Sequence, residues 1–250
     1  MLEVTILAIL QGVAEFLPVS SSGHLVIGQR LLGVNAPGMR LDVFLHVGTL
    51  LSILVFYASV IFRIVRRGEW FYVVKLAASA LPAVAVYFSF KDFIDGMFDN
   101  ARMVGALLMF TGAMLVGTRY LPRGEKDVSL PRALLMGLGQ ALALLPGVSR
   151  SGMTLAFARG GKVDPEKAAE FSFLMSAPLI LGAAALELLK SGGANDTGEI
   201  SWCLTAYGCA LSAAVGYGAL KLLLKSLKGK WFWLFGPYCI TVGLLTLIFC

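Results

Sequence analysis

An otherwise apolar stretch, QGVAEFLPVSSSGH at residues 11–24, carries an amide (Gln11), a carboxylate (Glu15), three hydroxyls (Ser20, Ser21 and Ser22) and an imidazole (His24). Gln11 and Glu15 stand four apart and share a helix face, and Ser21 and His24, three apart, share another. A second polar interruption, PGVSRSGMT at 146–154, adds Ser149, Arg150, Ser151 and Thr154. A hydroxyl, an imidazole and a carboxylate beside a guanidinium are the set that attack on phosphorus requires: a nucleophile, a group that moves a proton, and fixed positive charge for phosphate oxygens. A serine at a helix start is usually only a cap. Two such starts converging on one cavity would in addition aim free N–H groups and the positive ends of two helices at an anion. An ionised side chain at a bilayer centre costs roughly 2.5 to 3.5 kcal/mol on insertion scales, so such residues are rare and tend to be functional or paired; mere mutual neutralisation of Glu15 and Arg150 is the lesser alternative. That account leaves His24 and the serines unexplained. His46 lies in an apolar run and reads as structural or supporting.

The elements that must position these groups are membrane helices. Of 250 residues, 58% are hydrophobic and 14% charged, and the mean hydropathy is +0.80; a water-soluble domain does not carry such a composition. Segments near 41–62, 70–90, 166–189 and 201–224 have the length to cross a hydrocarbon core of about 30 Å, with shorter ones near 102–118 and 231–249. Six spans are therefore expected. Residues 2–17 and 24–33 flank a break at Pro18, and 131–146 and 151–160 flank a second, so each pair reads as a re-entrant helical hairpin. With no basic leader and no small-residue cleavage site ahead of Glu15, the first segment is expected to be retained.

At a constant offset of 129, Gln11 falls on Gln140, Val19 on Val148, Ser20 on Ser149, Ser22 on Ser151 and Gly23 on Gly152, while Ser21 falls on Arg150. Phe44 and Leu45 fall on Phe173 and Leu174, and His46 on Met175. The expectation is an internal repeat, residues 1–125 and 126–250, each one hairpin plus three spans. An odd number of crossings inverts the second half against the first. Charge agrees. Basic residues cluster at Arg63, Arg66, Arg67 and Lys75; at Arg119, Arg123, Lys126 and Arg132; at Arg159, Lys162 and Lys167; and at Lys221, Lys225, Lys228 and Lys230. The alternating connections, 91–100 and 190–199, carry Asp92, Asp95, Asp99, Asp196 and Glu199. The positive-inside rule makes the first set cytoplasmic and both termini external. Because each basic cluster abuts a span, a nucleic-acid partner is not expected; the lipid bilayer is. Trp70, Trp202, Trp231 and Trp233 begin spans, as interfacial tryptophans do. Gly208, Ser212 and Gly216 favour close helix packing within the fold, a protomer contact being the alternative. Cys203, Cys209, Cys239 and Cys250 show no metal spacing and read as buried thiols.

The two stretches quoted above closely resemble the signature motifs of the undecaprenyl-diphosphatase family, the bacitracin-resistance type of integral membrane phosphatase, and the likeness extends over essentially the whole chain. The resemblance implies hydrolysis of the C55 polyprenyl diphosphate carrier to its monophosphate at the outer side of a bacterial plasma membrane, recycling the lipid for cell-wall synthesis. It assigns Glu15 as the key carboxylate, Ser21 as the nucleophile, His24 as the proton-transfer residue and Arg150 as the phosphate-binding arginine. Gln11, Ser20, Ser22, Ser149, Ser151 and Thr154 are expected to line the substrate site. Mg²⁺ or Ca²⁺ is the implied cofactor. Where many relatives carry a second Glu this chain has Gln11, so the cation would rest on Glu15 and substrate oxygens.

The reading from residues and resemblance together is an all-α polytopic membrane phosphatase in which Ser21 attacks, with a water or His24 itself as the alternative nucleophile. The rival is a transporter or flippase, which shares the inverted-repeat build and needs an anion site but no nucleophile. A scaffold would leave the polar breaks without purpose. A homodimer is compatible with either reading.

Overall fold

A computed structural model describes residues 1–31, 38–98, 100–191, 201–229 and 231–249. The order is α1 (Leu2–Phe16), α2 (Ser21–Leu31), α3 (Gly38–Phe56), α4 (Ala58–Arg67), α5 (Trp70–Met97), α6 (Ala101–Gly117), α7 (Leu130–Leu142), α8 (Arg150–Gly160), α9 (Pro165–Ser191), α10 (Trp202–Lys228) and α11 (Phe235–Phe249). Among the described residues there is no strand beyond an isolated bridge between Lys126 and Val163. Asp99, Asp196, Glu199, Lys230 and Cys250 lie outside them.

Helices α5 and α10 are long and apolar enough to cross a membrane, as are the stretches Ala101–Tyr120 and Phe232–Phe249; the bent pair α3–α4 makes a fifth. The run expected as one span at 41–62 is therefore two helices, turned by 64° at Tyr57. Neither proline nor glycine marks the turn. It lays α4 across the end of the bundle, where Ile64 joins the core and Arg63 meets Glu170 of α9 at 3.4 Å and Glu69 at 3.8 Å. The backbone of α5 leaves helical geometry at Phe90, where the apolar run gives way to Lys91 and Asp92.

The four short arms hold 15, 11, 13 and 11 residues for α1, α2, α7 and α8. At about 1.5 Å per residue the longest reaches about 22 Å, less than the hydrocarbon thickness. They fold back on one another in pairs. A Cβ on Gly28 of α2 would stand 3.0 Å from Leu10 of α1, and one on Gly139 of α7 would stand 3.0 Å from the Met153 carbonyl of α8. The first pair begins beside the start of α10, where the hydroxyls of Thr5 and Tyr207 lie 3.2 Å apart. The second begins at the opposite end, where Arg132 donates to the Gly161 carbonyl at 3.0 Å.

That opposite end gathers described residues from all four basic clusters. Lys75 donates to the Val128 carbonyl at 2.8 Å, Arg159 to the Leu121 carbonyl at 3.0 and 3.1 Å, and Arg123 to the Lys228 carbonyl at 3.3 Å. Lys228 pairs with Glu166 at 2.9 Å, and Lys167 pairs with Asp127.

The two breaks meet inside the bundle. A Cβ on Gly23 would lie 3.1 Å from the Cα of Gly147, and one on Gly152 would lie 3.4 Å from Pro18. Ser151 Oγ donates to the Leu17 carbonyl at 3.1 Å. From α6, Thr111 Oγ1 donates to the Gly147 carbonyl at 3.0 Å and accepts from Ser149 N–H at 3.1 Å. Helix α6 is itself locked to α11 through glycines that approach in an antiparallel crossing: a Cβ on Gly105 would lie 2.8 Å from the Gly243 carbonyl, and one on Gly112 would lie 2.6 Å from that of Gly236. Gly208, Ser212 and Gly216 do face inward. Ser212 Oγ donates to the Leu45 carbonyl at 2.9 Å, and a Cβ on Gly208 would stand 3.0 Å from Val4. Cysteine burial departs from expectation: Cys239 is buried, Cys209 half-buried and Cys203 exposed. Cys203 sits in the first turn of α10, at a helix end outside the core.

Two stability outcomes follow. Gly112→Leu forces side-chain volume into the α6–α11 crossing and lowers stability by at least about 1–3 kcal/mol, the usual cost of overpacking, read as a lower thermal unfolding midpoint in detergent. Thr111→Val strands the Gly147 carbonyl and the Ser149 N–H without a partner and costs about 1–3 kcal/mol for each orphaned group, read the same way against Thr111→Ser as control.

Candidate active site

The local sequence makes each break. Pro18 cannot continue α1, and Leu17 is already extended at φ −68° and ψ 147°. Ser20 takes the left-handed conformation at φ +69°, a strained position for a non-glycine residue, and its Oγ accepts from Gly23 N–H at 3.3 Å to start α2. In the second break Gly147 holds φ +97°, and Ser149 Oγ accepts from Gly152 N–H at 3.1 Å to start α8. Ser20 and Ser22 lie 3.3 Å apart through their hydroxyls, as do Ser149 and Ser151. Four of the serines expected at a substrate site are thus occupied in starting and joining the arms, and Ser20, Ser149 and Ser151 are buried. Thr154 Oγ1 donates to the Arg150 carbonyl at 2.8 Å and lies 2.6 Å from Ser172 Oγ.

Glu15, near the C-terminal end of α1, is 5% exposed and collects four neighbours. Its Oε2 accepts from Gln11 Nε2 at 3.0 Å and from Ser21 Oγ at 2.6 Å; its Oε1 pairs with Arg150; and His46 Nε2 lies 3.7 Å from Oε2. A carboxylate out of water is tolerable only when paired and hydrogen-bonded in this way. The ion pair of Glu15 with Arg150 is present, and so is the serine that neutralisation alone does not explain. Only one guanidinium nitrogen is spent on Glu15, which leaves further N–H groups of the fork for a second anion.

The two histidines are placed differently. His24 Nδ1 lies 2.9 Å from the Ser20 carbonyl, and its Nε2 lies 2.8 Å from the Tyr238 hydroxyl. The rings of His24 and Tyr238 are nearly parallel, 8° apart with centroids at 5.6 Å. Ser21 and Glu15 have their own hydrogen bond beside this pair. His46, read from sequence as a supporting residue, is the imidazole that faces Glu15, and its Nδ1 donates to the Asp42 carbonyl at 2.8 Å. The Asp42 carboxylate in turn accepts from Gln29 at 3.1 Å through both oxygens.

Gln11, Glu15, Ser21 and Arg150 are therefore brought together, with His24 one helical turn beyond Ser21 and Thr154 one turn beyond Arg150. Sequence reasoning passed over Thr111, Tyr238 and the Asp42–Gln29 pair. Thr111 and Tyr238 are single polar groups in apolar spans, with no spacing to mark them; Asp42, an acid just inside an expected span, was the available signal. For a cation, the described residues hold no group of three His, Cys, Asp or Glu side chains. The site does hold Gln11 Oε1, buried and without a hydrogen-bond partner, beside the Glu15 carboxylate.

Comparison with known proteins identifies the family. The chain matches the family described as "Bacitracin resistance protein BacA" over residues 4–245. The undecaprenyl-diphosphatase of Halothermothrix orenii is 35% identical over 98% of this chain and 96% of its own length. That of Rhodopirellula baltica is 39% identical over 99% and 97%, and that of Desulforapulum autotrophicum 38% identical over 97% and 96%. With a family match across nearly all of its length and full-length relatives above 35% identity, this chain belongs to the bacitracin resistance protein BacA family.

Proposed function

We infer that the protein is an integral membrane phosphatase that hydrolyses undecaprenyl diphosphate to undecaprenyl phosphate and inorganic phosphate, returning the lipid carrier to cell-wall synthesis. The observation that carries the reading is the Ser21–Glu15–Arg150 chain, in which a hydroxyl donates at 2.6 Å to a carboxylate that is itself paired with a guanidinium from the other break. A transporter for the same lipid would use Arg150 but has no need of a serine so held, and the relatives bear the name of an enzyme.

In the proposed reaction the free N–H groups of Arg150 and the starts of α2 and α8 hold the diphosphate. Ser21 Oγ attacks the terminal phosphorus as its proton passes to Glu15. The new Oγ–P bond replaces the bridging P–O bond, and undecaprenyl phosphate leaves with the electron pair. A water then attacks the phosphoserine as its proton passes to His24, the Oγ–P bond breaks, and Ser21 Oγ takes its proton back from Glu15, which gives inorganic phosphate and restores Ser21. Gln11 Oε1 and Glu15 would hold Mg²⁺ or Ca²⁺ carried in on the diphosphate, and such a cation supplies positive charge to the phosphoryl oxygens.

The same reading takes the architecture as two inverted repeats, residues 1–125 and 126–250, with six spans and two re-entrant hairpins. It is supported by the arms being too short to cross, by their opposite points of origin, and by the matching serine pairs at the two breaks. The sixth span lies in α9, Pro165–Ser191. Collection of the basic clusters at one end supports a cytoplasmic assignment for that end and an external one for the start of α10.

Purified protein is expected to release phosphate from undecaprenyl diphosphate. Glu15→Gln and Ser21→Ala each lower kcat by about 10²- to 10⁴-fold, the usual range for lost proton-transfer or nucleophilic groups; phosphate release that persists in Ser21→Ala would rule out a phosphoserine. For orientation, a membrane-impermeant maleimide applied to intact cells is expected to modify Cys203, whereas a cysteine placed at Gly68 reacts only after permeabilisation.

A further inference from the structure

Helix α11 reaches the first break with two consecutive side chains. Tyr238 meets His24 and Cys239 Sγ points to the Pro18 carbonyl at 3.5 Å. The His24 contacts define its protonation pattern. The Ser20 carbonyl can only accept, so the proton of the neutral ring sits on Nδ1. Nε2 is then the bare nitrogen, and the Tyr238 hydroxyl donates to it. The phenol lies nearly parallel to the ring at its Nε2 edge, and α11 is in turn fixed by its glycine crossing with α6.

We propose that Tyr238 is a positioning residue for His24: with the tautomer set by the Ser20 carbonyl, its hydroxyl holds the ring by a hydrogen bond to Nε2. The proposal rests on the reading of His24 as the proton acceptor of the second step. In that step the water's proton arrives at Nε2 as the phenol, 47% exposed, moves off it without any change in the backbone. Tyr238 acts through His24. A phenylalanine at this position would keep the ring contact and lose the hydrogen bond.

Two measurements test this. In the first, Tyr238→Phe is compared with wild type for phosphate release from undecaprenyl diphosphate, alone and in a His24→Ala background. The expected result is a fall in kcat of about tenfold with KM unchanged, the scale typical of a lost orienting partner, and no further loss when His24 is already absent. An equal loss in both backgrounds, or no loss in either, overturns the proposal. The second needs no activity. The chain has two histidines, so ¹⁵N-histidine NMR in detergent, assigned with a His46→Gln variant, reads the His24 tautomer directly. A wild-type ring protonated on Nδ1, whose Nε2 resonance shifts when Tyr238→Phe removes the hydrogen bond, is the supporting outcome; a wild-type ring protonated on Nε2, or an Nε2 resonance unmoved in the variant, overturns the proposal. Absent phosphate release by wild-type protein would instead strike the functional reading, and the NMR result would still decide how Tyr238 orients His24.

Discussion

Backbone that leaves a helix within a membrane must find its hydrogen bonds inside the protein, because lipid offers none. Here the partners of each break come from elsewhere in the chain. The Leu17 carbonyl is met by Ser151 of the other break, the Pro18 carbonyl by Cys239 of α11, and the Gly147 carbonyl and Ser149 N–H by Thr111 of α6. Since α6 and α11 are themselves joined through facing glycines, one helix pair braces both interruptions. The convergence of the polar residues is a consequence of satisfying that backbone.

The same enclosure governs the charge. Glu15 sits where water cannot solvate it, and its two oxygens are divided between a guanidinium on one side and an amide and a hydroxyl on the other. Removing one partner of such a pair typically costs about 3–5 kcal/mol, because the remaining charge stays buried. Under the proposed function, a diphosphate held by the free N–H groups of Arg150 would compete with Glu15 for the guanidinium, and the Ser21 hydroxyl is the donor already in contact with that carboxylate.

Much of this was legible in the sequence, for identifiable reasons. Pro18 and the Pro146–Gly147 pair cannot sit quietly in a helix, so both breaks could be placed to within a few residues, and Glu15, Ser21 and Arg150 stood out as polar groups in apolar surroundings. Gln11 was placed on the face of Glu15 by spacing alone, and their hydrogen bond bears that out. The turn at Tyr57 was not legible, because it follows from where Arg63 and Ile64 find partners on α9 and in the core, contacts distant in sequence. Tyr238 and Thr111 were passed over for a related reason: an isolated hydroxyl in a span has no local pattern, and its meaning comes from a residue more than 30 positions away. His46 lay between these cases: read as structural or supporting, it was not connected to Glu15 until the fold brought α3 beside α1.

The ion pair between Glu15 and Arg150 joins one polar break to the other, and neither residue has a counterpart of like charge 129 positions away: residue 144 is Leu and residue 21 is Ser. A serine at 150 would leave the buried carboxylate facing a hydroxyl, and a leucine at 15 would leave the guanidinium facing a hydrocarbon side chain. The difference between the two breaks gives this centre its polarity, with the hydroxyl and its acceptor on one wall and the cation on the other. Under the proposed function, a phosphoryl group lodged between them meets a nucleophile from a single direction.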